Sequence, residues 1–315
     1  MFSTKEVCGQ DGWLPGDAPM IEVHELRKSF GPTMAVAGVS FSVRPGETFG
    51  LLGPNGAGKS TTIAMLTGAI APDGGSIRLA DCGAPSEPAT RRVIGVAPQT
   101  LSLYEELTAA ENLKFFGRMY GLTGAKLAER VEWALAFAEL SDRRGSRVNT
   151  FSGGMKRRLN LAVALVHEPQ VIFLDEPTAG VDPQSRNHIF ERIEQLRGEG
   201  RTVVYTTHYM EEAQRLCDRV AIMDHGKILD IDTIPALLAK YGGRAVVKGE
   251  LVGPPRNGVK LPGVVDGSSL RFESERPLEE IAELSAAGVA FQTLEVARPD
   301  LEAVFLSLTG RSLRD

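Results

Sequence analysis

Cysteine is scarce and unpatterned in this chain. Cys8, Cys82 and Cys217 are odd in number, scattered and without metal-type spacing. That excludes a disulfide framework or a thiolate metal site and reads as a reduced, cytosolic protein. Nowhere do about 18 apolar residues run uninterrupted, so the chain is not expected to span a membrane by itself. Met1 to Met20 has no basic stretch leading into an apolar core, and a signal peptide is not expected. A basic excess is missing too: the formal net charge of −5 argues against a general nucleic-acid binder. What remains is 315 residues, 43 % hydrophobic and 24 % charged, the profile of a globular protein with one large or two modest domains.

The stretch that organises the rest is Gly50-Leu51-Leu52-Gly53-Pro54-Asn55-Gly56-Ala57-Gly58-Lys59-Ser60-Thr61. Gly53-x-x-x-x-Gly58-Lys59-Ser60 has the spacing of a P-loop. The apolar run from Thr48 to Leu52 before it suits a buried strand. Ser60 to Leu66 after it suits a helix that stops at Gly68. Glycines let the backbone curl around a triphosphate and aim its N–H groups at the oxygens. The helix start adds unpaired donors and the positive end of its dipole. In that frame Lys59 reaches the β- and γ-phosphates and the Ser60 hydroxyl coordinates Mg²⁺.

Residues 1–20 are mostly polar and broken by Gly and Pro; they read as a disordered tail, or as sequence upstream of an alternative start at Met20. Alternation over Ile21–Leu26 and Gly38–Val43 predicts half-buried strands. Between them, Phe30 has two open roles: stacking on an adenine ring, or packing at a sheet edge. Ser76–Leu79 and Val93–Ala97 predict further strands, the second ending at Pro98-Gln99. Gln99 could reach Mg²⁺ or the attacking water, or be a loop amide bonded to backbone. Thr108-x-x-Glu111 is a capping box that opens a helix closed by Gly121. Leu127, Val131, Ala134, Leu135 and Ala138 form the apolar stripe of the next helix, with Trp133 and Phe137 beside it as core. Residues from about 101 to 168 therefore read as an inserted helical subdomain.

Ser152-Gly153-Gly154 starts another helix and offers a second anion site or an ordinary N-cap; Lys156, Arg157 and Arg158 beside it read as a solvated face. Val171–Leu174 is an apolar strand that delivers Asp175 and Glu176 where ligands bind in open α/β sheets. Asp175 there can hold Mg²⁺ through its water shell, and Glu176 can take a proton from water attacking the γ-phosphate. Ala179–Asp182 turns into a helix with Ile189, Ile193 and Leu196 on one face. The strand Thr202–Thr206 delivers Thr207-His208, and the imidazole can donate to the γ-phosphate.

In this order the residues resemble the ABC-type ATPases. Phe30 matches the adenine-stacking aromatic, Gly53 to Thr61 (Gly53, Pro54, Asn55, Gly56, Ala57, Gly58, Lys59, Ser60, Thr61) Walker A, and Gln99 the Q-loop. Phe151 to Met155 resembles the signature, Val171 to Glu176 Walker B with its catalytic glutamate, Ala179 to Asp182 the D-loop and His208 the switch histidine. Two positions depart from the family's signature: Phe151 stands for the usual Leu and Met155 for the usual Gln, leaving Ser152, Gly153 and Gly154 intact. The resemblance implies an α/β P-loop ATPase core over residues 21–235, with antiparallel β and inserted helical subdomains. It also implies ATP and Mg as cofactors, and catalysis by Glu176 with His208, Lys59 and Gln99. Mg would be held by Ser60, Gln99 and Asp175. Each ATP would lie between one subunit's Walker A and the other's Ser152-Gly153-Gly154, with Asp182 at the dimer contact, so a homodimer forms on ATP binding.

The stretch Gly200 to Asp230 and the ending Pro299 to Gly310 are similar to the drug-resistance and nodulation-factor export branch. In that branch the ATPase is a separate polypeptide, peripheral on the cytoplasmic face of the cell membrane, which powers an integral-membrane permease. Drug or glycolipid/oligosaccharide efflux is the implied task, with no nucleic-acid partner. The alternative is a soluble ABC ATPase acting on a macromolecule such as a ribosome or DNA. One cassette, and too few residues between Lys59 and Ser152 for a coiled coil, weigh against that. Lys240-Tyr241-Gly242-Gly243 reads as a linker to a small α+β accessory domain, residues 244–315. Its expected strands are Ala245–Leu251, Ser269–Glu273 and Val289–Val296, and its expected helices Pro277–Ala286 and Asp300–Leu308.

Overall fold

The computed structural model describes residues 18–79, 83–253 and 259–310. Most of the expected N-terminal tail, together with Cys8 and Cys82, lies outside the described residues; at Met20 the backbone already donates to Val43 O at 2.8 Å. In chain order, β1 (Ile21–Phe30) and β2 (Thr33–Val43) form an antiparallel ribbon longer than the alternation implied. Next come β3 (Thr48–Leu52), α1 (Lys59–Leu66), β4 (Gly74–Leu79), α2 (Pro88–Val93) and β5 (Ile94–Ala97). Val93, expected to open a strand, instead ends α2, which starts with Pro88 at a position where the ring's fixed φ suits a first turn.

Three helices follow: α3 (Ala109–Met119), α4 (Gly124–Phe137) and α5 (Gly153–Leu165). The Thr108–Glu111 capping box is formed in both directions at the start of α3. The α4 stripe is buried at all of its expected positions, while Trp133 packs under Arg130, whose guanidinium carbon lies 3.9 Å from the ring centroid. α5 is buried on two sides. Leu159, Ala162, Val163 and Val166 face the core of the helical subdomain, whereas Leu161, Ala164 and Leu165 join the main core.

Then come β6 (Val171–Asp175), α6 (Pro183–Gly198), β7 (Thr202–Thr207), α7 (Met210–Leu216), β8 (Arg219–Asp224), β9 (Lys227–Thr233) and α8 (Ile234–Tyr241). The central sheet has the order β5-β6-β7-β3-β8-β9, parallel except for β9. β3, β6 and β7 are buried at every residue, as parallel strands covered on both faces must be. Alternate residues serve opposite cores. Phe49, Leu51, Phe173 and Val204 pack toward the ribbon of β1 and β2, which with β4 makes a second sheet. Leu52, Ile172, Leu174, Val203 and Tyr205 pack toward α5, α6 and α7.

Past α8, β10 (Ala245–Leu251), β11 (Val264–Asp266), β12 (Ser269–Ser274) and β13 (Phe291–Ala297) form an antiparallel sheet of order β11-β12-β10-β13, with α9 (Pro277–Ala286) packed on it. Two readings change here. Lys240 and Tyr241 are not linker: they end α8, and both donate to Asp230 Oδ2 at 2.6 Å. The last helix, α10 (Leu301–Thr309), expected with the small unit, sends Leu301, Val304 and Phe305 into the main core against α7 and α8. Its apolar stripe is buried there, at 0 % exposure for all three residues.

Candidate functional site

Lys59 is the pivot of the site. β3 gives way to Gly53, whose Cβ, were there one, would lie 2.2 Å from Met223 O. Gly58 has φ +101° and would place a Cβ 2.4 Å from Ala35 O. The loop therefore threads between neighbouring backbones where only glycine fits. Asn55 and Gly56 stay exposed at its crest while Ala57 is buried. Lys59 opens α1 and is only 4 % exposed. Its Nζ donates to Gly53 O at 2.8 Å and Pro54 O at 3.0 Å, and lies 3.5 Å from Glu176 Oε1. Burial lowers its pKa, against the opposing pull of Glu176 and Asp175. Next in the helix, Ser60 Oγ donates to Asp175 Oδ1 at 3.1 Å, and Thr61 is half-buried beside it.

β6 and β7 supply the acids and their supports. Asp175 Oδ1 also accepts from Thr206 Oγ1 at 2.6 Å. Glu176 has φ +45°, a left-handed conformation that costs a non-glycine residue about 1–2 kcal/mol. Its N–H is held by Thr206 Oγ1 at 3.0 Å. That bend leaves its carboxylate 3.2 Å from Gln99 Nε2, which donates to Oε2, and 3.2 Å from His208 Nδ1, a close approach without hydrogen-bond geometry. Lys59, Ser60, Gln99, Asp175, Glu176 and His208, distant in sequence, are thus brought together at the carboxyl end of the parallel strands.

Ser152, Gly153, Gly154 and Asp182 form a separate group. Ser152 caps α5, accepting from Met155 N–H at 3.2 Å, and with Gly153 it is exposed. Asp182 caps α6, accepting from Ser185 N–H at 2.9 Å and Ser185 Oγ at 2.7 Å; backbone donation from Ser185 is the main reason its pKa is lowered. A Cβ on Gly154 would lie 2.0 Å from Ser185 Oγ, so the two helix starts touch. Among the described residues no hydrogen bond or ion pair joins this group to Lys59. Phe30, at the tip of β1, is 53 % exposed, with Lys28 Nζ 5.8 Å from its ring centroid.

The basic triplet does not form the expected solvated face. Lys156 pairs with Glu105 at 2.6 Å, Arg157 donates to Gln99 O at 2.6 Å and Arg158 to Ala138 O at 2.8 Å. Burial, opposed by the charges of Glu176 and Asp175, lowers the Arg157 pKa. These side chains tie α5 to neighbouring loops, and Arg157 anchors the backbone of Gln99 itself. Thr206 was also missed as a site residue; its place at the end of an apolar strand, beside Thr207-His208, was the available signal.

The ABC transporter family model matches residues 36–179. The chain is 41 % identical to the linearmycin resistance ATP-binding protein LnrL of Bacillus subtilis (strain 168), over 94 % of this chain and 100 % of that protein. It is 44 % identical to the Nod factor export ATP-binding protein I of Rhizobium sp. (strain N33), over 93 % of this chain and 98 % of that one. Among solved structures, an ATP-binding subunit of an ABC transporter superposes with TM-score 0.65 at 32 % identity, over 71 % of this chain and 93 % of its own. A dimeric cassette in a post-hydrolysis state with ADP and Pi gives 0.62 at 26 %, over 68 % and 98 %. Fold, site and likeness together define a nucleotide-binding P-loop ATPase. The chain belongs to the ABC transporter ATP-binding subunits.

Proposed function

We propose that this ATPase powers a separate membrane permease of an exporter, handling a drug or a glycolipid or oligosaccharide cargo; its relatives are named for linearmycin resistance and Nod factor export. No described helix is long and apolar enough to cross a membrane, so a partner must supply the pathway. The observation that carries the reading is the convergence of Lys59, Ser60, Gln99, Asp175, Glu176 and His208 on one strand-end cluster. Lys59, already desolvated, binds the β- and γ-phosphate oxygens. Glu176 takes a proton from the attacking water, Gln99 orients that water, and His208 donates to the γ-phosphate.

A hydroxyl and a carboxylate 3.1 Å apart, Ser60 and Asp175, fit Mg²⁺, a hard cation that prefers oxygen donors and keeps phosphate and water ligands. Gln99 adds its amide oxygen. Among the described residues no group of three or more His, Cys, Asp or Glu side chains is placed to hold a metal ion. Bound there, it neutralises charge on the phosphates.

Ser152 and Gly153, exposed beside Asp182, serve with the buried Gly154 the ATP of a second copy, so the functional unit is a homodimer closed by ATP at the cytoplasmic face of the membrane. Phe30 stacks on the adenine ring. The permease meets the helical subdomain near Tyr104, which clusters with Phe115 and Phe116 at ring distances of 4.9 and 6.1 Å. Glu105 is tied to Lys156, so Tyr104 is a cleaner position than Glu105 for probing that contact. Glu176→Gln keeps size but not basicity: ATP turnover of the purified protein should fall about 10²–10⁴-fold while ATP binding persists. Parental turnover in that variant would refute the assigned base.

A further inference from the structure

Glu212, in the first turn of α7, has a wholly buried side chain (0 % exposed) with both oxygens saturated. Oε1 accepts from Thr178 Oγ1 at 2.6 Å and Arg186 Nε at 2.8 Å; Oε2 accepts from Tyr205 OH at 2.8 Å and Thr207 Oγ1 at 2.7 Å. The donors come from different parts of the site. Thr178 lies two residues beyond Glu176, on the loop toward Asp182. Arg186 is in the first turn of α6, the helix that Asp182 caps and whose Ser185 abuts Gly154. Thr207 Oγ1 in turn accepts from Tyr209 N–H at 2.9 Å, closing the turn that carries His208, and the Arg186 guanidinium lies 4.8 Å from the Tyr209 ring centroid.

A buried carboxylate is a costly way to fill space, since desolvating it exceeds the gain from one cation unless its remaining lone pairs are satisfied. Here they are, and a fully satisfied polar cluster fixes geometry that apolar packing would leave loose. The loops it joins are short of side chains to hold them: Ala179, Gly180 and Val181 link Thr178 to Asp182. We propose that Glu212 is a positioning residue. It locks the loop behind Glu176, the turn of His208 and the start of α6 into one unit, so that the base and the face offered to the second copy keep a fixed relation. This rests on the roles given above to Glu176, His208 and Asp182.

The test uses the full chain and ATP turnover at saturating nucleotide, with binding of a fluorescent ATP analogue and Tm measured alongside. Glu212→Gln replaces one acceptor oxygen by an amide that faces donors. It should lower kcat about 10–100-fold with affinity for the analogue unchanged, because among the described residues no hydrogen bond or ion pair joins Glu212 to the Lys59 loop. Thr178→Val and Arg186→Leu, which remove the loop and α6 donors, should each lower kcat about tenfold, and Arg186→Lys should restore most of it. Tyr205→Phe removes a donor from the rigid strand; it should lower Tm like the others yet leave kcat near parental. If kcat instead falls in step with Tm across all these variants, or if Glu212→Gln turns over at the parental rate, the positioning role is wrong. If Glu212→Gln does not fold, the single-donor variants decide by the same criterion. Glu176→Gln in the same assay separates the two readings: an inactive Glu176→Gln beside a fully active Glu212→Gln overturns only the positioning role, whereas an active Glu176→Gln overturns the base assignment.

Discussion

The ATP-site region and the small unit at residues 245–297 bury polar groups very differently. Around the site Lys59, Asp175, Glu176, Thr206, Thr207 and Glu212 are all buried, each with a named partner. In the small unit Ser274 is the one buried polar side chain among the described residues. The sheets explain this. β6 is covered on both faces and buried throughout, so its end can hold buried carboxylates, where charges interact strongly. β12 alternates exposed and buried, and Lys248, Arg271 and Glu295 occupy its sheet's wet face, where charges are screened and pairs contribute little. Reactive polarity needs two covered faces; one suffices for a scaffold.

The largest break in this comparison concerns α10, which follows the small sheet in sequence but packs in the ATPase core. Phe305→Ala, at 0 % exposure, should cost about 3–5 kcal/mol in denaturant unfolding and lower ATPase stability. Leu294→Ala on the small sheet, 43 % exposed, should stay within about 0.5 kcal/mol. Equal effects would detach α10 from the main core.

Acid should then separate the regions. His167 stacks flat on Tyr120, with ring centroids 3.5 Å apart, and burial pushes its pKa down to about 4. The unfolded chain therefore binds a proton that the folded one refuses between about 6.5 and 4. Stability is whole above the upper value and falls as pH drops toward the lower one, by up to about 3 kcal/mol. His167→Leu should flatten that part of the pH–stability curve; an unchanged slope would assign it elsewhere. None of the 5 histidines lies beyond residue 225, so the small unit has no such switch. Smaller again, Lys59→Ala should weaken ATP binding about 10–100-fold, the worth of a hydrogen bond to a charged group, read by equilibrium titration. Unchanged affinity would remove Lys59 from the phosphate site.

Motifs whose chemistry depends on local spacing were legible in the chain: the loop from Gly53 to Thr61, the Ser152 cap, the acids after Val171–Leu174 and the Thr108–Glu111 capping box. Each works through neighbours a few residues away. What was not legible depends on distant partners. Nothing near Arg157 in sequence indicates that it anchors Gln99, 58 residues back. Glu212 reads as one more acid in a helix until β7 and α6 close around it. The same holds for α10, whose stripe specifies burial but not against which core. Phe30 remained a choice between two roles because its spacing from the P-loop fixes its strand and not its exposure.

One copy is proposed to hold half of each ATP site, Lys59 with Glu176 in one group and Ser152 with Asp182 in another. Light scattering of Glu176→Gln, with ATP and Mg²⁺ and without, tests it directly. The mass should double only with ATP, and adding Ser152→Arg should return it to a single chain. A double variant that still doubles its mass with ATP would contradict it.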